Sequence, residues 1–169
     1  MATTISAVNY PEFPGMSGVS GKVQKLYVNY GIGATSAKPV WTKVGGIRST
    51  TLSLSADVKT VQTKDSGLWA EGGITGKSGE LSADIVVKRG DVGQEVIQNF
   101  VVDDDITSAK NLLMLALVDE DTKDYTIVTG VPSSWEVVAS ADDLITKALK
   151  FTLIGAPEIK TEFSATSGT

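Results

Sequence analysis

Apolar and polar residues alternate one for one along several separate segments of this chain. A period of two marks strands with one face on a core and one in water. In residues 51–58 the apolar side is Leu52, Leu54, Ala56 and Val58, with Thr51, Ser53, Ser55 and Asp57 opposite. Residues 80–87 repeat the pattern with Leu81, Ala83, Ile85 and Val87. Residues 125–129 contribute Tyr125 and Ile127, and residues 135–139 contribute Trp135, Val137 and Ala139. Residues 145–153 contribute Ile145, Leu149, Phe151 and Leu153, interrupted only by Lys147. Weaker strands cover 22–29 and 40–44. The chain holds 19 Val, 11 Ile and 18 Thr against 12 Leu, which tips ambiguous segments toward strand. About seven strands with turn residues between them predict a mainly β fold, an antiparallel β-sandwich or partly closed barrel.

Two segments depart from alternation. Over 91–101, Val92, Val96 and Phe100 fall at helical spacing with Ile97 beside them. Asp91 is placed to cap this segment, and Gln94 stands three residues on, as in a capping box. One short flanking α-helix is predicted. Residues 111–118 are apolar almost throughout, and the acidic clusters on either side favour a buried strand.

The domain reading is an N-terminal arm over 1–20, a β domain over 21–157 and a C-terminal tail over 158–169. The arm carries Tyr10 and Phe13 among prolines and glycines, and the tail carries Phe163. Free tails fray, and aromatic residues on them suit docking against a neighbour. Residues 59–79 read as a long loop with five glycines and no clear period. Loops of that length are usually functional or disordered. Leu68, Trp69 and Ile74 would be costly to leave in water. Trp69 either tucks back on its own domain or inserts into a partner.

Composition removes most chemistry. There is no Cys and no His, so disulfides, thiolate catalysis and the usual proton shuttle are excluded. Net charge is −5, a poor basis for gripping nucleic acid. The first hundred residues carry 10 basic and 8 acidic groups, the remainder 5 and 12. That asymmetry is either ordinary solvated surface or a molecule with two unlike faces, able to stack head to tail. No signal peptide is visible at the start, and synthesis in a cytoplasm is expected.

Candidate motifs fail. Gly76-Lys77-Ser78 lacks the earlier glycine of a phosphate loop, since position 71 is Glu71, and a strand follows where a helix is needed. Gly31-Ile32-Gly33 is a turn signal alone. Asp119 to Asp124 resembles the start of a calcium loop, but Asp124 and Gly130 stand where glycine and glutamate belong. Asp103-Asp104-Asp105 adds only a weak cation candidate, and Asp142-Asp143 reads as a turn. No catalytic residues, metal site or cofactor are expected.

The run Gly45-Gly46-Ile47-Arg48-Ser49-Thr50-Thr51-Leu52-Ser53-Leu54-Ser55-Ala56-Asp57, followed by Thr63-Lys64-Asp65-Ser66-Gly67-Leu68-Trp69, resembles the major tail proteins of long-tailed bacteriophages. These are tail tube subunits. A second strand, a short helix, a meander and a last strand after an acidic turn follow in the same order, so the resemblance spans roughly 21–157. It implies a fold shared with contractile-tail and type VI secretion tube proteins. It also implies six-membered rings, whose inner strands join into one barrel and which stack into a hollow tube for the genome. The long hairpin and terminal arms would touch neighbours, through Thr63, Lys64, Asp65, Leu68, Trp69 and Ile74 and through Tyr10, Phe13 and Phe163. The implied partners are further copies, then tape measure, distal tail and tail terminator proteins. DNA would slide past an acidic lumen without specific binding. The implied place is the virion tail, assembled in the host bacterial cytoplasm, with no membrane insertion. A tube inside a contractile tail or tailocin is one alternative. A surface- or carbohydrate-binding β-sandwich module is another, from a different class.

Overall fold

The computed structural model describes residues 20–103 and 111–165. A turn of 3-10 helix, Gly21–Val23, leads into β1 (Gln24–Asn29), β2 (Trp41–Lys43), β3 (Ile47–Val61) and β4 (Glu71–Val86). Then come α1 (Val92–Val102), β5 (Leu113–Asp119), β6 (Tyr125–Val138), β7 (Thr146–Leu153) and β8 (Glu158–Lys160). Every pairing is antiparallel, and the strands form one sheet in the order β2-β1-β5-β6-β7-β4-β3, with β8 added beside β6. β2 and β3 do not pair, so the sheet is open.

The sheet makes its core by folding over along β6. Residues 125–130 of β6 pair with β5, and residues 130–138 pair with β7. One buried cluster joins the two halves: Leu26 and Val28 of β1 and Leu115 and Leu117 of β5, with Leu81 and Ile85 of β4 and Leu149 and Phe151 of β7. α1 adds Ile97. Fully burying each such side chain contributes about 1.5–3 kcal/mol. Gly130 pairs with both Leu113 and Leu153, and a Cβ there would strike the backbone carbonyl of Thr152. Gly130→Ala is therefore expected to cost about 2–3 kcal/mol and to lower Tm by about 4–10 °C in a thermal melt. An unchanged Tm would show that β7 yields freely.

The strand expected over 111–118 is β5. The segments 125–129 and 135–139 are one strand instead of two. Pro132 and the serines after it, left outside the two expected strands, form a bulge in which Ser133 is the extra residue and its hydroxyl donates to the Lys150 carbonyl at 3.2 Å. A bulge is one of the few places a sheet accepts proline. The helix begins where expected, with Asp91 Oδ1 accepting from the Gln94 N–H at 3.0 Å.

Gln94 does not complete a capping box. Its side chain is 2% exposed and turns inward. Nε2 donates to the carbonyls of Gly45 at 2.8 Å and Val86 at 3.0 Å, and Oε1 accepts from the Lys88 N–H at 3.3 Å. Asp91 Oδ2 accepts from the Gly45 N–H at 3.0 Å. Two residues thus tie the β2–β3 connection, the end of β4 and the helix start into one corner.

Candidate functional site

β4 has two neighbours only as far as Glu80, which pairs with Thr152. From Gly79 to the tip it has β3 alone. The expected loop over 59–79 is therefore mostly strand: β3 continues to Val61, β4 begins at Glu71, and only residues 62–70 turn. The misreading has a cause. Gly72, Gly73, Gly76 and Gly79 interrupt the alternation, yet each sits in β4. At Gly79 an added Cβ would lie 2.9 Å from both Leu54 and Leu153. At Gly72 it would collide with the Lys59 carbonyl. Gly72 and Gly79 are close-approach positions in a ladder.

The two faces of this arm differ. Leu52 pairs with Leu81 on the core face, and the same face continues outward through Leu54, Ala56 and Val58. A bulge at Thr75, whose hydroxyl donates to the Asp57 carbonyl at 3.2 Å, shifts the register so that Ile74 pairs with Val58. Without that extra residue, strict alternation would put Ile74 on the opposite face. The result is an apolar stripe, with Val58 61% and Ile74 60% exposed. The reverse face is polar, with Asp57, Lys59 and a 2.8 Å hydrogen bond between Ser55 and Ser78. A lone two-stranded ribbon is marginally stable in water, and this one extends the core face beyond the core. Leu54 and Val58, read in the sequence as core, are exposed for the same reason.

At the tip, the Thr63 N–H donates to Ser66 Oγ at 2.9 Å, and that hydroxyl donates back to the Thr63 carbonyl at 2.8 Å. Gly67 takes a φ of 64°, which favours glycine. This fixed turn presents Thr63, Lys64, Asp65, Leu68 and Trp69 together. Leu68 is 96% and Trp69 83% exposed, so Trp69 does not tuck back on its own domain. β3 also has no strand on its outer side, leaving a long row of backbone donors and acceptors open.

Tyr10 and Phe13 lie outside the described residues. Phe163 corrects the expectation of a free docking aromatic. Its ring centroid lies 4.7 Å from Tyr27, 5.2 Å from Tyr125 and 6.4 Å from Trp41, and its N–H donates to the Lys123 carbonyl at 2.9 Å. β8 pairs with residues 125–127 of β6 just before it. The apolar outer face of β1, β2, β5 and β6 needs a cover, and this segment of the same chain supplies one. Phe163→Ala is expected to cost about 1–2 kcal/mol and to speed proteolysis within residues 158–165. Unchanged digestion there would show that the ring does not hold the segment.

Nothing at these positions suggests bond-making chemistry. Gly76, Lys77 and Ser78 lie inside β4. Asp119 Oδ1 accepts from the Asp121 and Thr122 N–H groups at 2.9 and 3.2 Å, so the acidic run is a side-chain-stabilised turn. Among the described residues, no group of three or more acidic side chains is placed to hold a metal, and no helix is long and apolar enough to cross a membrane. What the arm can do is bind another surface, through its apolar stripe, its aromatic tip and its open backbone edge.

Residues 28–158 match the family of phage tail tube proteins. No curated protein matches the chain. The fold is similar to a chain in the tail of an empty gene transfer agent particle refined with C6 symmetry, with TM-score 0.65 and 17% identity, covering 85% of this chain and 100% of that one. It is similar to the tail tube of SPP1, with TM-score 0.66 and 14% identity, covering 88% and 82%. It is also similar to a chain of the anti-feeding prophage baseplate, with TM-score 0.59 and 10% identity, covering 86% and 96%.

Proposed function

This chain belongs to the phage tail tube protein family, and on that premise we propose that its copies clasp one another through the β3–β4 arm, building rings that stack into a hollow tube. The chain is a tail tube subunit and assembles with copies of itself. The observation that carries the proposal is the arm, whose apolar stripe and Trp69 find no cover among the described residues of their own chain. A six-membered ring is supported by the C6 symmetry of the similar gene transfer agent tail. The free edge of β3 is where the next subunit's strands extend the sheet, which removes the exposed edge by closing it.

The role is structural, without catalysis, and its place is the virion. Assembly takes place in the host cytoplasm. Tape measure, distal tail and tail terminator proteins meet the tube at its interior and ends. DNA passes through without specific binding, and carboxylates from residues 101–169 lining the bore would repel phosphate.

Trp69→Ala tests the clasp. The monomer is expected to keep its circular dichroism spectrum and Tm, while sedimentation shows the assembly threshold raised about tenfold or more, as for loss of an interfacial Trp contributing at least about 1.4 kcal/mol. A variant that melts early as a monomer would return Trp69 to a core role. Negative-stain microscopy of the unmodified protein is the companion measurement, with rings or tubes expected.

A further inference from the structure

A cleft of about 710 Å³ opens between the start of β1, the β2–β3 connection and the end of β4. Among the described residues, five cations line it, Lys22, Lys25, Lys43, Arg48 and Lys88, and no carboxylate does. The chain has 15 cations and 20 carboxylates, so this segregation runs against its overall charge. Of these five, only Lys43 has an ion pair among the described residues, with Glu120 at 3.4 Å. Clustered like charges focus a positive potential that is satisfied only by an anionic partner.

The same rim of the sheet carries that partner's chemistry. Lys25 sits on β1 and Lys43 on β2, with Lys22 just before β1, Arg48 at the start of β3 and Lys88 just after β4. In the strand order β2-β1-β5-β6 the β5–β6 turn follows β1, with Asp119, Glu120, Asp121 and Asp124 around one Lys123. The turn is pre-ordered. The Asp119 N–H donates to the Asp124 carbonyl and the Lys123 N–H to the Asp119 carbonyl, both at 2.9 Å. Asp121 and Asp124 are exposed and have no ion pair among the described residues. Within one chain the turn adjoins the cleft through Asp119, which pairs with Gln24, and through Glu120, while Asp121 and Asp124 have no ion pair there among the described residues. Copies set side by side in one orientation would present each acidic turn to the next cleft, a head-to-tail contact of the kind that closes rings.

We propose that this cleft seats the acidic β5–β6 turn of a second copy. The proposal rests on the tube reading and adds to the arm a second, electrostatic contact that sets which flank meets which. Complementary charge reversal tests it. One variant carries Lys22→Glu, Lys25→Glu and Arg48→Glu, and the other Asp121→Lys and Asp124→Lys. These side chains make no hydrogen bond among the described residues, and circular dichroism checks each fold. Alone, each variant is expected to need at least about tenfold more protein to assemble than the unmodified chain. Mixed one to one they should form tubes again, because each reversed cleft then meets a reversed turn. The unmodified tubes should also weaken at about 1 M salt, where screening acts within about 3 Å.

Variants that assemble normally alone, or a mixture that stays dispersed while the unmodified chain assembles, overturn the proposal and leave the tube reading standing. If a reversal unfolds the chain, Lys22→Gln with Lys25→Gln and Arg48→Gln replaces it, and unchanged salt sensitivity of its tubes overturns the proposal. Binding of duplex DNA by the unmodified chain but not by the first variant would make the cleft a nucleic-acid groove and overturn it too. Failure of the unmodified chain to assemble at any concentration or salt counts against the tube reading itself.

Discussion

Val58→Asp combined with Ile74→Asp is expected to give a folded, soluble monomer that forms no tubes. Both residues lie on the apolar face of the arm, paired with each other, beyond the last strand that could cover them. Neither belongs to a buried cluster of the body. Their loss therefore leaves the core cluster untouched, and two carboxylates in place of half-exposed methyls should raise monomer solubility. In an assembly the same face is covered. Removing the two aliphatic contacts withdraws about 1–1.5 kcal/mol each, half the value of full burial. Two like charges forced together under a neighbour add a desolvation cost of the same order or larger. At least about 3 kcal/mol per contact is about a hundredfold in affinity, and every contact in a ring carries it. Sedimentation velocity with negative-stain microscopy checks the outcome. Tubes of normal yield would show that the stripe faces water in the assembly. The matched pair Asp57→Asn with Lys59→Gln, on the reverse face, should assemble as the unmodified chain does.

Gln94→Leu is expected to be the most damaging single change to the fold, at about 3–5 kcal/mol. The volume is nearly kept, so packing is not the reason. The carbonyls of Gly45 and Val86 and the N–H of Lys88 each lose their bond to the Gln94 side chain at a site where that side chain is 2% exposed. A buried polar group left without its partner costs about 1–3 kcal/mol. Gly46, with a φ of 75° and the Gln94 amide 3.0 Å from where its Cβ would be, leaves no room for another side chain to take over. Urea unfolding of the monomer measures the loss. A midpoint within error of the unmodified protein would mean that water reaches the corner and replaces the amide. Gln94→Glu is expected to be intermediate, since it keeps an acceptor for Lys88 and loses both donated bonds.

The strands that bury one face on their own core were legible. β4 beyond Glu80, β7 apart from Lys147 and the first half of β6 carry apolar positions at every second residue because the core selects them, and β5 is apolar almost throughout because both of its faces are covered. α1 was legible for the same reason, at period 3.6, with Asp91 as its cap. Gln94 was singled out for the wrong bond: spacing shows that a residue can reach the cap, not that a carbonyl 49 residues away in sequence competes for it. β6 was split because Pro132 and two serines look the same in a turn and in a bulge. The arm was unreadable as strand because no core selects its residues. Gly72 answers to the backbone of Lys59 and Thr60 and Gly79 to the side chains of Leu54 and Leu153, and Thr75 breaks the period of two at the point where Ile74 must change sides. Phe163 could be seen to need a surface, but not that its own chain held one. The sequence left Trp69 either tucked back on its own domain or inserted into a partner, and its 83% exposure removes the first of these.

The arm is also a ruler. From Ser53, which pairs with Glu80, to Val61 it advances by about 3.3 Å per residue, so the end of β3 stands about 26 Å beyond the last three-stranded level of the sheet. That distance is set by the count of residue pairs and not by any packing in the body. Lengthening both strands by two residues would carry Trp69 about 7 Å further along the same line and keep every side chain on its face. The spacing at which one subunit finds the next is thus written as a number of residues, and it can be changed in steps of two without touching the core.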